Sequence, residues 1–190
     1  MNHTTPALYN DCAYTLISAE EISSICDRLA AEITDTYKDS SRRLVMVVIL
    51  KGSMPFAADL MKRLTLPIEL EFMKVSSYGA GTKSSGEIKV SLDLNRDDLQ
   101  DIDLLVVEDI VDSGRTLARL TQLLKNRNAH SVRTCTLLDK PSRREVDFVP
   151  DFCGSVIPDE FVIGYGLDYN EKYRNLPFVG VLKREVYEKN

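Results

Sequence analysis

Apolar positions along this chain follow two rhythms, one helical and one of buried strands. Ile22, Ile25, Cys26, Leu29, Ala30 and Ile33 share one helical face, and Ser18 with Glu21 three residues later has the form of a capping box, so an amphipathic helix should begin at about residue 18. Residues 44–50 form the most apolar run of the chain and predict a central parallel strand, buried on both faces. Lys51-Gly52-Ser53 comes directly off that run, and Phe56, Ala57, Leu60, Met61 and Leu64 predict a helix that ends before Pro67. A second unit of the same kind follows. Residues 104–107 are a short apolar run that stops at Glu108 and Asp109, where the strand is expected to end, and after a turn Leu117, Leu120, Leu123 and Leu124 recur at helical spacing.

Other segments fill in around these units. Residues 68–75 alternate as a half-exposed strand does, 76–86 make a long flexible tip rich in serine and glycine, and 87–92 return as a strand. Residues 132–138 and 178–182 predict two more strands, whereas 148–158, between Pro150 and Pro158, predicts irregular structure. Residues 1–17 lack periodicity, although Tyr9, Tyr14, Leu16 and Ile17 could form a short docking arm. Strand, glycine turn and helix repeat as units, which is the α/β pattern.

Composition narrows the field without deciding it. The 190 residues suffice for one well-buried domain, and 44% hydrophobic with 28% charged residues is ordinary for a soluble globular protein. The formal net charge of -5 argues against a nucleic-acid partner, and the basic pair Arg143-Arg144 reads as a solvated loop or a subunit contact. Cys12, Cys26, Cys135 and Cys153 are scattered, with no C-x-x-C pair, and read as reduced small apolar residues. No signal sequence or membrane-length apolar run is evident, and Asn2-His3-Thr4 reads as a chance glycosylation triplet, so a cytoplasmic protein is expected.

The chemistry concentrates in Val-Val-Glu-Asp-Ile-Val-Asp-Ser-Gly-Arg-Thr, residues 106–116. A small hydroxylated, glycine-containing turn at a helix N-terminus presents unpaired N–H groups and the positive end of the helix dipole, which suits a phosphate. Carboxylates just upstream repel a phosphate unless the ligand also offers sugar hydroxyls or a divalent cation. A turn whose acids are merely solvated is the alternative.

That string resembles the phosphoribosyl-pyrophosphate (PRPP) motif of type I phosphoribosyltransferases. Asp139-Lys140-Pro141, the run from Pro158 through Phe161, Gly164, Gly166 and Asp168 to Tyr169, and Arg174 are similar to the 6-oxopurine branch of that family. The resemblance runs from about residue 44 to 182 and implies the family's fold. This is a single domain with a mostly parallel twisted sheet flanked by helices (core about 18–140), a small hood from about 1–17 and 141–190, and a hairpin lid at about 76–86.

The implied reaction transfers the 5-phosphoribosyl group from PRPP to N9 of hypoxanthine or guanine, with Mg²⁺ as cofactor. Roles carry over residue by residue. Ile110, Val111, Asp112, Ser113, Gly114, Arg115 and Thr116 would receive the 5-phosphate, and Asp112 would be the general acid/base. Glu108 and Asp109 would hold ribose hydroxyls or metal, with Asp168 at a second metal. Lys51, Gly52 and Ser53, often through a non-proline cis peptide, would bind pyrophosphate together with Arg174. Lys140, Phe161, Val162 and Asp168 would bind the purine, and Ser77-Tyr78 would close as a lid. The family usually forms homodimers or homotetramers, and neither nucleic acid nor membrane is expected as a partner.

Two other classes compete. A phosphorylation-switched receiver domain also pairs acids after a strand and Lys-Pro after a later one, but its acidic pair lies near the start of the chain. A nucleotide-sensing regulator that kept the PRPP fold is opposed by the intact Asp112, Lys140, Phe161 and Arg174 and by the acidic balance.

Overall fold

The computed structural model describes residues 7–77 and 88–188. Its larger sheet is built from β2 (Arg43–Ile49), β3 (Ile68–Ser77), β4 (Ile88–Leu92), β5 (Ile102–Val111), β6 (Ser131–Asp139) and β7 (Phe152–Val156), in the spatial order β4-β3-β2-β5-β6-β7. All neighbours are parallel except β3 and β4, which form an antiparallel hairpin. A smaller antiparallel sheet, β1 (Cys12–Ile17), β9 (Val179–Leu182) and β8 (Val162–Ile163) in that order, joins the two ends of the chain.

The helices follow from the patterns that predict them. In α1 (Ala19–Tyr37) the Ser18 hydroxyl accepts from the Glu21 N–H at 3.2 Å and the Glu21 carboxylate accepts from the Ser18 N–H at 2.7 Å, closing the capping box. Its face of Ile22, Cys26, Leu29, Ala30 and Ile33 is buried, as is Phe56-Ala57 with Leu60 on α2 (Met54–Met61). These two helices cover one side of the sheet, against Leu44, Met46 and Val48 of β2 and Leu105 and Val107 of β5. The alternate residues, Val45, Val47 and Ile49 with Leu104 and Val106, face the other side and pack under Leu117, Leu120 and Leu124 of α3 (Arg115–Asn126). Both central strands are thus apolar on both faces because helices lie on both faces.

Strand order explains where a ligand can bind. From β2 the chain moves outward to β3 and β4, then returns to place β5 on the opposite flank of β2. The connections after β2 and β5 therefore run to opposite sides of the sheet and leave a crevice beyond the strands' carboxyl ends. The two glycine turns sit there.

Three segments differ from expectation. β5 does not stop at Glu108 but continues to Val111, because β6 runs alongside it and pairs Glu108 with Thr136, Ile110 with Leu138 and Val111 with Asp139. The acids are carried inside the ladder. Within 148–158 the chain forms β7, whose register runs from Cys135↔Phe152 to Asp139↔Val156 and whose flanking prolines lie outside the paired stretch. Arg28 of α1 reaches over it and donates to the carbonyls of Cys153 at 3.1 Å and Gly154 at 2.6 Å, occupying the free side of this edge strand. The N-terminal segment, without visible periodicity, is a 3-10 turn (Ala7–Asp11) followed by β1, and Tyr9 packs on Phe178 with ring centroids 5.2 Å apart.

Among the described residues the four cysteines are unpaired, and no helix is long and apolar enough to cross a membrane. Replacing Ser18 by Ala should lower the unfolding free energy by about 1 kcal/mol in urea denaturation, the ordinary worth of an N-cap. Unchanged stability would mean that packing alone sets the start of α1.

Candidate active site

Two cavities open side by side at the carboxyl edge of the larger sheet. The first, about 320 Å³, is lined by the turn after β2 (Lys51, Gly52), by Glu108, Asp109, Asp112, Ser113, Gly114 and Thr116 from the end of β5 and the start of α3, and by Asp168 and Arg174. The second, about 410 Å³, is lined by Lys140, Arg143, Asp159, Glu160, Phe161, Val162, Leu167 and Tyr187. Ile110 and Asp112 belong to both. Asp112 thus stands on the boundary between a polar and charged chamber and a partly aromatic one.

Glycines make the first chamber possible. A Cβ on Gly52 would lie 1.6 Å from the Asp109 Oδ2, and one on Gly166 would lie 1.9 Å from the Gly52 carbonyl oxygen. Gly166 also has φ +100°, a conformation that suits only glycine. The turns after β2 and around residue 166 therefore meet at backbone contact, and the Asp109 carboxylate of β5 lies against the Gly52 backbone. The Leu50–Lys51 peptide bond is cis.

Glu108 and Asp109 remain partly open to the chamber, but their carboxyl groups sit deep in it. Burial, reinforced by the negative charge of Asp109, holds Glu108 well above the usual carboxylate range. Asp109 is also raised by burial, against hydrogen bonds from Glu108 and from the Ile110 N–H, the latter at 2.7 Å. Two adjacent acids in this setting favour a shared proton or a cation between them. Among the described residues no three His, Cys, Asp or Glu side chains cluster for a metal ion. Magnesium does not require such a cluster, because it keeps waters and phosphate oxygens and needs only one or two protein carboxylates. The pair fits it.

The turn at the start of α3 is held from outside. Gly114 takes φ 79° and caps the helix. The Asp112 carbonyl accepts from Arg144 Nη1 at 2.6 Å, the Ser113 carbonyl from the Glu145 N–H at 3.0 Å and the Val111 carbonyl from the Lys140 N–H at 2.9 Å. The other Arg144 nitrogen pairs with the buried Asp139. With its carbonyls drawn outward, the turn leaves the N–H groups of the first helical turn for a ligand in the chamber. Arg144 is far from the solvated residue that sequence suggests. Its partners are the Asp139 carboxylate and the backbone carbonyl of Asp112, the latter 32 positions away, and a contact with a distant carbonyl leaves no mark in sequence.

Other side chains are placed as follows. Lys140 is buried, with its ammonium donating to the Glu160 carbonyl at 2.6 Å. Asp112 receives Arg143 Nε at 3.3 Å. Asp168 pairs with Arg174 Nη2 at 2.8 Å and accepts the Glu171 N–H at 2.9 Å, while Arg174 Nη1 donates to the Gly166 carbonyl at 2.7 Å. Phe161 keeps 39% of its surface open, with Tyr187 stacked on it at 5.0 Å and Tyr169 edge-on at 5.6 Å. Val162 lies in β8 at the cavity wall.

Two candidates fall outside the chambers. Ser53 is fully buried and its hydroxyl turns back to the Ile49 carbonyl, and the Arg115 side chain pairs with Glu145 at 2.6 Å. Tyr78 lies outside the described residues, as does the side chain of Ser77, whose backbone ends β3. Tyr187 is a wall that sequence did not suggest. As one tyrosine in a charged tail it carries no periodic signal, and only the fold of the C-terminus onto Phe161 gives it a place.

Residues 16–170 match the phosphoribosyl transferase domain family. The hypoxanthine-guanine phosphoribosyltransferase of Staphylococcus epidermidis is 49% identical over 182 residues, which is 96% of this chain and 100% of that protein. The enzyme of the same name from Bacillus subtilis is 49% identical over 179 residues, 94% of this chain and 98% of its own. In three dimensions the crystal structure of a hypoxanthine phosphoribosyltransferase from Staphylococcus aureus matches with a TM-score of 0.91 at 45% identity, covering 97% of this chain and 99% of that one.

The contact between the two turns is open to direct measurement. Gly166→Ala must part the 166 turn from the Gly52 carbonyl and strain the backbone, and should lower stability by about 1–3 kcal/mol in urea unfolding. A variant as stable as the parent would show that these turns are not locked together.

Proposed function

The chain belongs to the phosphoribosyltransferase family, in its hypoxanthine-guanine branch, and from that premise we propose that it moves the 5-phosphoribosyl group of PRPP to N9 of hypoxanthine or guanine, releasing pyrophosphate and IMP or GMP. The observation that carries this reading is the meeting of the two chambers at Ile110 and Asp112. A charged donor and a flat acceptor held on either side of one carboxylate are what a displacement at an anomeric carbon needs.

In this reading the 5-phosphate sits on the N–H groups of Asp112 to Thr116, while Glu108 and Asp109 lie upstream in β5. The pyrophosphate lies against Lys51, Gly52 and Arg174. Glu108 and Asp109 face the ribose hydroxyls, and their negative charge favours the cationic character that the anomeric carbon acquires as its bond to pyrophosphate breaks. Glu108 and Asp109, with Asp168 at a second position, would hold magnesium, which when bound would supply neutralising charge for the leaving pyrophosphate. N9 of the base forms the new bond, and the proton lost from N7 passes to the Asp112 carboxylate. Arg144 and Asp139 keep that residue's backbone in place.

The second chamber supports the choice of base. The Lys140 ammonium is fixed at its rim by the Glu160 carbonyl and retains donors for an exocyclic oxygen at position 6, where a 6-amino group would oppose donor to donor. Phe161 offers its open face for stacking, and the Val162 backbone reads the edge of the ring. Ser77, the last residue of β3, with Tyr78 next in sequence, would exclude water, which otherwise hydrolyses PRPP. The protein is read as one domain with the small sheet as its hood, working in the cytoplasm without nucleic acid or membrane. Self-association has a surface to use: Met54 and Met61 of α2 and Leu70 and Phe72 of β3 are exposed apolar side chains on the same side of the sheet.

Incubation with PRPP, Mg²⁺ and each of hypoxanthine, guanine, xanthine and adenine should give monophosphate with the first two. The absence of turnover with either would refute the assignment. Asp112→Asn should cut turnover by about 10²–10⁴ while PRPP affinity changes little, and equal losses in both would make Asp112 a binding group. Lys140→Ala should erode the discrimination against adenine, and unaltered discrimination would take Lys140 out of the base site.

A further inference from the structure

Glu171 is left without a role by that chemistry, yet it reaches both cations assigned to pyrophosphate, pairing closely with Lys51 and more loosely with Arg174, whose nearer partner is Asp168. Its Oε2 lies 2.9 Å from Lys51 Nζ and 3.5 Å from Arg174 Nη2. The backbone is bent to put it there. Asn170 and Glu171 take φ 49° and 61°, two consecutive L-residues in the left-handed region, and the Glu171 N–H is pinned to Asp168 at 2.9 Å. Such conformations are sparsely populated by residues other than glycine and recur at functional sites.

We propose that Glu171 is an internal stand-in for pyrophosphate. Its carboxylate neutralises Lys51 and Arg174 between turnovers, gives way when PRPP enters, and competes for the same two cations when pyrophosphate has to leave. It thereby sets the affinity of the site for its leaving group. This rests on the assignment of Lys51 and Arg174 to pyrophosphate. The contact is an exposed one, with the Lys51 side chain 52% and the Glu171 side chain 67% accessible. An ion pair in such a setting is worth a factor of up to about five, enough to tune a dissociation step and too little to block binding.

The test is calorimetric titration of inorganic pyrophosphate with Mg²⁺ into the full chain and into Glu171→Gln. The variant should bind about two- to fivefold more tightly at low salt, and pyrophosphate should inhibit its forward reaction more strongly by a similar factor. The gap should shrink in about 0.5 M salt, where exposed charges are screened. Glu171→Asp keeps the charge and should stay near the parent. Equal or weaker binding by Glu171→Gln, or tightening by Glu171→Asp as well, would overturn the proposal while leaving the site assignment intact. A parent chain that binds no pyrophosphate would remove the assignment itself.

Discussion

Two adjacent carboxylates buried at the end of a central strand are the constraint around which this fold is arranged. Glu108 and Asp109 are raised because the protein packs them deep and next to one another, a costly arrangement for charged groups. Much of the surrounding architecture can be read as what that placement requires. β6 extends the ladder past the acids, Gly52 gives up a side chain so that Asp109 can lie against the turn after β2, and Gly166 lets another turn close over that one. In the proposed reaction, a cationic, polyhydroxylated ligand centre with its own metal would convert that cost into binding.

A second theme is the separation of holding from reacting. The groups that face the chambers are few, and each is positioned by others that face away. Arg144 and Asp139 fix the backbone of Asp112, Ser53 closes the turn after β2 from beneath, and Gly166 supplies the carbonyl that aims Arg174. The two cations of the first chamber already have partners, Lys51 on Glu171 and Arg174 on Asp168. Ligand binding is then an exchange of ionic partners, which asks for less desolvation than exposing bare charges would.

The course of the chain was legible wherever a pattern is local. The capping box and apolar face of α1, the buried run of β2 and the strand and helix on either side of the turn at Ser113-Gly114 follow from spacing, and the acidic motif resembles that of the family. Pairing with a neighbour was not legible. β5 runs three residues beyond the point where its polarity suggests an end, and β7 forms between two prolines, because in each case β6 provides the ladder. In the site, glycines and acids announced themselves through their types, whereas Arg144 and Tyr187 act through a backbone carbonyl and an aromatic ring brought close only by the fold. Ser53 shows the reverse: a hydroxyl in a phosphate-like motif that serves the turn itself.

The account stands or falls on the buried acids serving a sugar and a metal together. Thermal unfolding of the ligand-free chain, followed with PRPP alone, Mg²⁺ alone and both, measures this most directly. Ligand that binds the folded state alone stabilises it by about 2.7 kcal/mol at a hundredfold excess over its dissociation constant. PRPP with Mg²⁺ should raise the melting temperature by clearly more than the two separate shifts combined, and Glu108→Gln with Asp109→Asn should abolish that excess. A PRPP shift that is absent, or that is the same with and without Mg²⁺, would contradict the account.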